Sequence, residues 1–434
     1  MAQAEKMTVI ESLRDPGAFD EPEERSWRHF ALCFASLFLL AQCFSGPPGA
    51  FPGGVLLIRP WQAIWHRVVP FVGRHGLHLA QPITIFPSGS GDTTYNWVEQ
   101  LCFLVVAALG AVVWSRFGRT RDDRLYHGLR TYLRYFIAAH MFVYGFDKLC
   151  LVQFSRPEGS ILAHPIGDFS PFMLLWTFMG VSAPYQLFGG AAEVLGAILL
   201  LSRRTTTLGA LIVVGVLGNV VMLNFCFDVP VKLFSSTLLV MALILAAHDA
   251  PRLIDFFIRG RATAPPGAVV AWRFPRACLA LKIVAIGWML FGAGKLVVHA
   301  QRMGAQPNEA PDPLAGEYAV EAQMPQTLRW RSVIMDGDGL ELRSGDDELR
   351  WFKLARDGGT LALTEQHLVD APPYLTETGA PVQRLSYTQP DEHHLVLAGT
   401  FAGQPLRVTL YRRQSTGTLL RRGFHLVNET PYVR

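Results

Sequence analysis

Hydrophobic residues in the N-terminal two thirds of the chain occur in long runs that short polar or basic segments separate. A helix needs about 20 predominantly apolar residues to cross a bilayer. We therefore predict about seven transmembrane helices, at residues 30–44, 97–114, 133–152, 185–201, 208–227, 231–247 and 278–298. A short apolar helix is predicted at about 171–181, and an aromatic-rich surface helix at about 58–72.

The pattern changes after a Pro/Glu/Asp-rich linker at about 301–316. Residues 317–434 contain short runs of alternating apolar and polar residues, and Asp336-Gly-Asp-Gly and Asp357-Gly-Gly give turn signals. Seven or eight such strands predict an all-β sandwich or small barrel. The runs lie at 328–335, 340–343, 349–354, 361–364, 384–387, 394–401, 406–411 and 419–426.

Composition agrees with a membrane protein that carries a soluble domain. The 434 residues are 50% hydrophobic and 17% charged, whereas soluble domains average about 25% charged residues. The net charge of +4 is modest, and arginines cluster between apolar runs, which indicates membrane topology rather than nucleic-acid binding. The first basic loop contains Arg116, Arg119, Arg121, Arg124, Arg130 and Arg134.

Basic loops on alternate sides place the N-terminus in the cytoplasm and the C-terminal domain outside it. We predict the following units in chain order. A cytoplasmic polar tail is predicted at 1–27, two transmembrane helices with a long outer connection at 28–132, and a four-helix core at 133–248. A cytoplasmic loop with the seventh helix follows at 249–300, then the linker at 301–316 and an extracytoplasmic β domain at 317–434.

Ionisable residues inside predicted spans are the main functional signal, because a charge in hydrocarbon is costly unless it has a role. The third span places four such groups on one helical face, and the fourth carries a carboxylate near its middle. The turn between the fifth and sixth spans adds two charges. The candidates for catalytic roles are Lys148, Lys232, Glu193 and Asp228.

Other polar residues of the same spans predict a funnel that opens outward with a carboxylate at its floor. Its expected lining is His140, Tyr144, Asp147, Asn219, Asn224, Ser236, Tyr95 and Asn96. Two interpretations stay open. The lysines form structural ion pairs, Lys148 with Asp228 and Lys232 with Asp147, or a desolvated lysine acts as a base beside a quinone-like ligand.

The six cysteines form no CxxC motif, and no cluster with metal-ligand spacing occurs, so no metal site is predicted. Neither haem, flavin nor iron–sulfur signatures are visible. A redox cofactor would therefore be a diffusible quinone or belong to a redox protein partner. Whether the cysteines expected at one membrane face form disulfides stays open; they are Cys43, Cys102, Cys150 and Cys226.

Three segments resemble the DoxX-like family of bacterial integral membrane proteins: Tyr144-Gly-Phe-Asp-Lys-Leu149, Gly189-Gly-Ala-Ala-Glu-Val-Leu-Gly196 and Asp228-Val-Pro-Val-Lys232. The resemblance implies a four-helix core at about 133–248 and a bacterial inner-membrane location with a periplasmic β domain. The ending at 422–431 resembles a larger subgroup with a soluble C-terminal domain. The resemblance singles out Gly145, Lys148, Glu193, Gly196 and Lys232.

The family resemblance also implies a link to the membrane subunit of a thiosulfate:quinone oxidoreductase and to thiol-redox partners. A more distant likeness is to the transmembrane part of vitamin K-dependent carboxylases, in which an intramembrane lysine acts as base. Three functions stay open. The chain is a redox-associated quinone-binding protein, a scaffold or lipid-binding protein that displays the β domain, or a small-molecule transporter.

Overall fold

The computed structural model describes residues 22–42, 44, 54–85, 90–117, 122–157, 160–263, 275–305, 313–368 and 375–413. In this part of the chain, helices come first and a β-barrel follows. Most of the predicted tail and the predicted strand at 419–426 lie outside the described residues. The helices are α1 Pro22–Gln42, α2 Gly54–His75, α3 Thr94–Phe117, α4 Asp122–Leu149, α5 Ser160–Ala163, α6 Pro171–Val181, α7 Ala183–Leu201, α8 Thr206–Cys226, α9 Lys232–Ala247, α10 Ala250–Phe257 and α11 Pro275–Ala305.

Every predicted span coincides with a helix, but the number seven is not confirmed. Four of the described helices are long and apolar enough to cross a membrane: α3, α7, α8 and α11. The bent pair α9–α10, with 65° between its halves, makes a fifth if it is one span. α4 falls short because charged residues interrupt its apolar sequence: Arg134 lies near its middle, and Asp147 and Lys148 lie in its last turn.

The surface of these helices also indicates a membrane protein. Along the most apolar stretch of α11, Leu279–Arg302, 0% of the residues are buried within the protein. α3 exposes one continuous apolar face, and soluble monomers rarely expose patches of that extent. The residues of this face include Leu101, Leu104, Val105, Val106, Leu109, Val112 and Val113.

Four helices, α4, α7, α8 and α9, pack around one core and occupy the predicted range of 133–248. Each contributes apolar side chains at helical spacing, as an amphipathic helix in a bundle must. Fully buried members include Leu133, Ile137, Met141, Leu200, Val213, Leu238, Met241 and Leu245. Two more helices, α1 and α3, pack together beside this core, where Gln42 and Gln100 exchange hydrogen bonds of 2.7 and 3.0 Å.

Glycines bring α4 and α7 into backbone contact. A Cβ atom on Gly190 would lie 2.6 Å from the Gly145 carbonyl oxygen and 2.9 Å from Lys148 Cβ. A Cβ on Gly196 would lie 2.7 Å from Val213 Cγ2 of α8. Small residues at such positions let membrane helices approach closely. The two glycines that the family resemblance singles out therefore lie at helix–helix contacts.

The C-terminal domain is an antiparallel β-barrel, which decides between the two predicted β architectures. Eight strands close it in the order β1-β2-β3-β4-β5-β7-β8-β9, and β6 pairs with the end of β5. The sequence runs missed β1 and β6. The strands are β1 Gly316–Met324, β2 Trp330–Asp336, β3 Gly339–Ser344, β4 Leu349–Asp357, β5 Thr360–Leu368, β6 Leu375–Glu377, β7 Gln383–Thr388, β8 His394–Phe401 and β9 Gln404–Arg412.

Alternating apolar side chains fill the barrel, as expected for eight strands. The Phe401 ring contacts those of Trp330 and Phe352, at ring centroid distances of 4.9 and 5.7 Å. The predicted turn signals are confirmed as hairpin turns, with positive φ at Gly337 and Gly358.

The barrel contacts the connection that follows α4. His164 Nε2 lies 2.7 Å from Glu341 Oε2, and the Arg343 guanidinium contacts the Asp168 carboxylate. Residues 341 and 343 share the outer face of β3, since Leu340 and Leu342 alternate with them and point inward. The barrel therefore lies at the end of α4 that carries Lys148.

Replacing Gly190 by alanine should push α4 and α7 apart, because the new methyl group would overlap the Gly145 carbonyl. We expect a loss of about 1–3 kcal/mol in the free energy of unfolding, the range for overpacking, measured by unfolding in mixed detergent micelles. Gly189→Ala is the matched control, because its Cβ would lie 3.7 Å from Lys148 Cδ, an ordinary contact. Equal stability of the two variants would contradict this packing.

Candidate functional site

A buried ion pair joins α4 to α7. Lys148 Nζ donates to both carboxylate oxygens of Glu193, at 2.8 and 2.9 Å. The two residues are 7% and 3% exposed. α4 and α7 run antiparallel, and helical side chains lean toward the N-terminus of their own helix. Lys148, in the last turn of α4, and Glu193, near the middle of α7, therefore point toward each other.

The ion pairs predicted from sequence were wrong. Lys232 Nζ lies 2.8 Å from Asp228 Oδ1 of its own turn, and not beside Asp147. Asp228 has a φ of +51°, which turns the chain back so that its carboxylate lies beside the first turn of α9. Lys148 meets Glu193 because the glycine contact holds α7, rather than the α8–α9 turn, against α4.

The α8–α9 turn is held by a loop far away in sequence. Asp92 accepts hydrogen bonds from the backbone N–H groups of Lys232 and Leu233, at 2.7 and 2.9 Å. Gly91 N–H donates to the Pro230 carbonyl at 2.8 Å. The first N–H groups of a helix lack partners within the helix, and the N-cap residue of α9, Val231, supplies no side-chain cap. Asp92 thus caps α9 from outside.

The loop before α3 explains two more predicted lining residues. Thr93 Oγ1 accepts from Asn96 N–H at 3.3 Å, and Asn96 Oδ1 accepts from Thr93 N–H at 3.2 Å, a reciprocal cap at the start of α3. Tyr95 donates its hydroxyl to Glu99 at 3.2 Å. Thr93 is therefore the N-cap residue of α3. These side-chain hydrogen bonds of Tyr95 and Asn96 lie within their own loop and helix.

His140 lies deeper in α4, in an aromatic environment. Its Nδ1 lies 2.9 Å from the Phe136 carbonyl oxygen, so Nδ1 carries the hydrogen and donates. Its ring centroid lies 4.4 Å from that of Phe136 and 5.1 Å from that of Phe234 on α9. Tyr144, one turn further along α4, approaches the same Phe234 ring at 6.5 Å. Among the described residues nothing hydrogen-bonds the buried Nε2 of His140.

The remaining predicted lining residues divide between α8 and α9. Asn224 donates to Ser235 Oγ at 2.9 Å, so Ser235 rather than Ser236 completes this contact. Asn219 is exposed on α8 and does not join the core, which corrects its place in the funnel. Asp147 is half-buried, and its backbone carbonyl ends α4 by accepting from Val152 and Gln153. The predicted lining residues therefore make their contacts at separate helix interfaces.

Two buried polar residues were missed. Gln186, two turns before Glu193 on α7, donates to the Phe154 carbonyl at 3.0 Å, and its Oε1 has no partner in the described part of the chain. In the sequence, a single amide side chain within an apolar span could have indicated this buried polar contact. Arg134, assigned from sequence to a basic loop, is buried and donates two hydrogen bonds to the Leu200 carbonyl at 3.0 and 2.8 Å. It therefore caps the end of α7.

Polar contacts also fix the bend between α9 and α10 at the far end of the bundle. Tyr126 of α4 and His248 lie 2.9 Å apart at Oη and Nδ1. Asp249 accepts from Thr207 of α8 at 2.5 Å and from Arg252 of α10 at 2.9 Å. The cysteines of the other end, Cys102, Cys150 and Cys226, are free thiols, and Cys43 lies outside the described residues.

No family model matches the chain, and no solved structure is significantly similar to it. Among curated proteins, the chain is similar to the "Uncharacterized protein YwoB" of Bacillus subtilis (strain 168). The two are 40% identical over 124 residues, which are 29% of this chain and 79% of that protein.

Breaking the buried pair on one side should destabilise the fold strongly, because the partner charge stays buried. We expect Lys148→Met and Glu193→Leu each to lose about 3–5 kcal/mol of unfolding free energy, and the double variant to recover most of that loss. Unfolding in mixed micelles measures all three. Asp228→Asn is the matched control. It breaks a pair whose aspartate side chain is 81% exposed, so it should cost below about 1 kcal/mol. If the double variant lost as much unfolding free energy as the two single variants together, the two residues would not be a coupled pair.

Proposed function

We propose that this chain, which belongs to the same family as the Bacillus subtilis protein YwoB, is a membrane protein that binds a quinol-like molecule between α4 and α9. The observation that carries this proposal is the unpartnered Nε2 of His140, an atom buried beside Phe136 and Phe234. Buried polar atoms in native proteins nearly always have partners, so an orphan acceptor points to a ligand.

The tautomer of His140 supports a particular ligand chemistry. Because Nδ1 donates to the Phe136 carbonyl, Nε2 of the neutral ring has a lone pair and accepts. A ring hydroxyl, as in a reduced quinone, matches this acceptor, whereas a carbonyl oxygen does not. The aromatic rings of Phe136, Phe234 and Tyr144 suit stacking with a quinol ring.

The resemblance to the DoxX-like family supports the same proposal, since it implies a quinone-linked, redox-associated membrane protein. In this proposal the chain binds and orients the quinol in the bacterial inner membrane, with the barrel on the periplasmic side. A redox protein partner supplies the electron acceptor. Lys148 and Glu193 hold α4 against α7 rather than acting as base, because each neutralises the other.

The transporter alternative depended on Glu193 as an ion-binding carboxylate near the membrane midplane. Lys148 Nζ lies within hydrogen-bond distance of both of its oxygens, so Glu193 is already neutralised. This contact favours the binding function over transport.

Native mass spectrometry of the full chain in mild detergent tests the quinol proposal. We expect a co-purifying quinol, with about tenfold weaker retention in His140→Phe, because one hydrogen bond is worth about 1 kcal/mol or slightly more and 1.4 kcal/mol is tenfold. Phenylalanine keeps the ring shape and removes the acceptor. Asn219→Ala, which removes an exposed polar group from α8, should retain the ligand. Bulk phospholipid alone in the wild type, or equal retention by both variants, would overturn the proposal.

A second function, a scaffold that displays the barrel, is favoured by how the barrel is attached. Side-chain contacts of His164 with Glu341 and of Asp168 with Arg343 fix β3 to the connection after α4, and side chains fill the barrel interior. Such a domain offers its outer surface to a partner in a fixed orientation.

The double variant Glu341→Gln/Arg343→Gln should release the barrel from the helical part, since it removes the carboxylate that contacts His164 and the guanidinium that contacts Asp168. We expect broadened distance distributions in spin-label measurements between the barrel and α8. Arg331→Gln is the control, because its exposed pair with Asp347 lies within the barrel. An unchanged distribution in the double variant would show that other contacts orient the barrel.

A further inference from the structure

Two cationic side chains, Lys295 and Arg302, and the imidazole of His299 follow one face of the last turns of α11. Residues 295, 299 and 302 are spaced by four and three, which places them on one helical face. They border a groove of about 590 Å³. Its lining consists of Phe291, Gly294, Lys295, Val298, His299 and Arg302.

These cations lack a counter-charge. Within the described part of the chain, no carboxylate pairs with Lys295 or Arg302. Lys295 instead lies over the ring of Phe291, with its Nζ 6.0 Å from the ring centroid. In the core, by contrast, Lys148 is paired with Glu193, and Arg134 donates to the Leu200 carbonyl. The α11 cations therefore differ in kind from those of the core.

The position of Lys295 makes this arrangement costly without a ligand. The apolar stretch of α11 ends at Arg302 and has 0% of its residues buried. At 1.5 Å per residue, Lys295 lies about 10 Å from that end along the axis. An unpaired ammonium group at this depth must reach toward the interface or bind an anion. A Cβ atom added at Gly294 would meet nothing within 4 Å, so space is open beside the lysine.

We propose that this groove binds the phosphate headgroup of an anionic glycerophospholipid, in the leaflet nearest the barrel. Lys295 and Arg302 pair with the headgroup phosphate, and the imidazole of His299 lies between them. Phe291 and Val298 form the apolar wall along which an acyl chain lies. The site is thus a specific lipid site on the outside of the bundle.

Charge and shape favour a lipid over other occupants. The apolar wall is continuous with the exposed face of α11, which a soluble phosphate compound would leave uncovered. A second copy of the chain packed in parallel through this face would bring the same cationic row to the same depth, and like charges would repel. A phospholipid supplies both the negative charge and the acyl chain.

Native mass spectrometry of the detergent-purified full chain, titrated with phosphatidylglycerol or phosphatidylcholine, tests this site. We expect tighter binding of phosphatidylglycerol, and a loss of about thirtyfold in Lys295→Gln/Arg302→Gln, roughly fivefold per cation near a membrane surface. Phosphatidylcholine binding should change little. The matched control, Arg276→Gln/Lys282→Gln, removes two charges from the other end of α11 and should keep the tightest-bound phosphatidylglycerol.

The charge-conserving variant Lys295→Arg should retain phosphatidylglycerol within about threefold, because its charge near the surface is unchanged. Wild-type affinity in the double glutamine variant would overturn the proposal, as would equal losses for both lipids. For the wild-type protein, a complex of two chains without bound lipid would instead identify this face of α11 as a dimer contact. These results are independent of the quinol readout at His140, so either proposal can fail alone.

Discussion

The contact between α4 and α7 is the constraint on which the helical part depends. Glycines at 145 and 190 bring the two backbones together, and only then can the short reach between Lys148 and Glu193 close at 2.8 Å. A buried pair of this kind contributes little net stability over an apolar contact, yet losing one member is costly. The pair therefore determines how these two helices are arranged more than it adds to the stability of the fold. On the same helix α4, His140 packs against Phe234 of α9, and Arg134 donates hydrogen bonds to the last turn of α7. The connection that follows α4 contacts the barrel.

A second constraint acts from outside the core. Asp92 caps α9, and Gly91 bonds to Pro230, so the loop before α3 fixes the turn between α8 and α9. Asp249 and Tyr126 do the equivalent at the opposite end, where α9 bends into α10. Loops and turns thus set the position of α9 at both ends, and with it the position of Phe234 against His140.

Periodicity was sufficient to locate the elements, because hydrophobic runs and turn residues act locally. The predicted segment at 171–181 matches α6, and 394–401 matches β8 residue for residue. Partner choice could not be predicted in the same way. Asp92 and Lys232 are 140 residues apart, and no local pattern shows that Glu193, rather than Asp228, faces Lys148. Arg134 looked like a loop arginine because its acceptor is a backbone carbonyl, which sequence does not display. The helical spacing rule does not give the pairing of Lys232 with Asp228 either, because Asp228 precedes α9 and has a φ of +51°.

The polar groups inside this membrane protein fall into two physical classes, and the distinction carries the functional argument. Groups with protein partners, such as Lys148, Arg134 and Asn224, are explained by folding, since each satisfies a helix contact or a helix end. Nε2 of His140 and the ammonium group of Lys295 lack such partners among the described residues. In hydrocarbon, water cannot compensate for a missing partner as it does at a soluble protein's surface. The first atom is enclosed between aromatic rings and accepts a hydrogen bond, and the second lies on an open face and carries a positive charge. The ligands that we propose differ accordingly, a hydroxyl-bearing ring at the first atom and an anionic headgroup at the second, and the two sites need not act together.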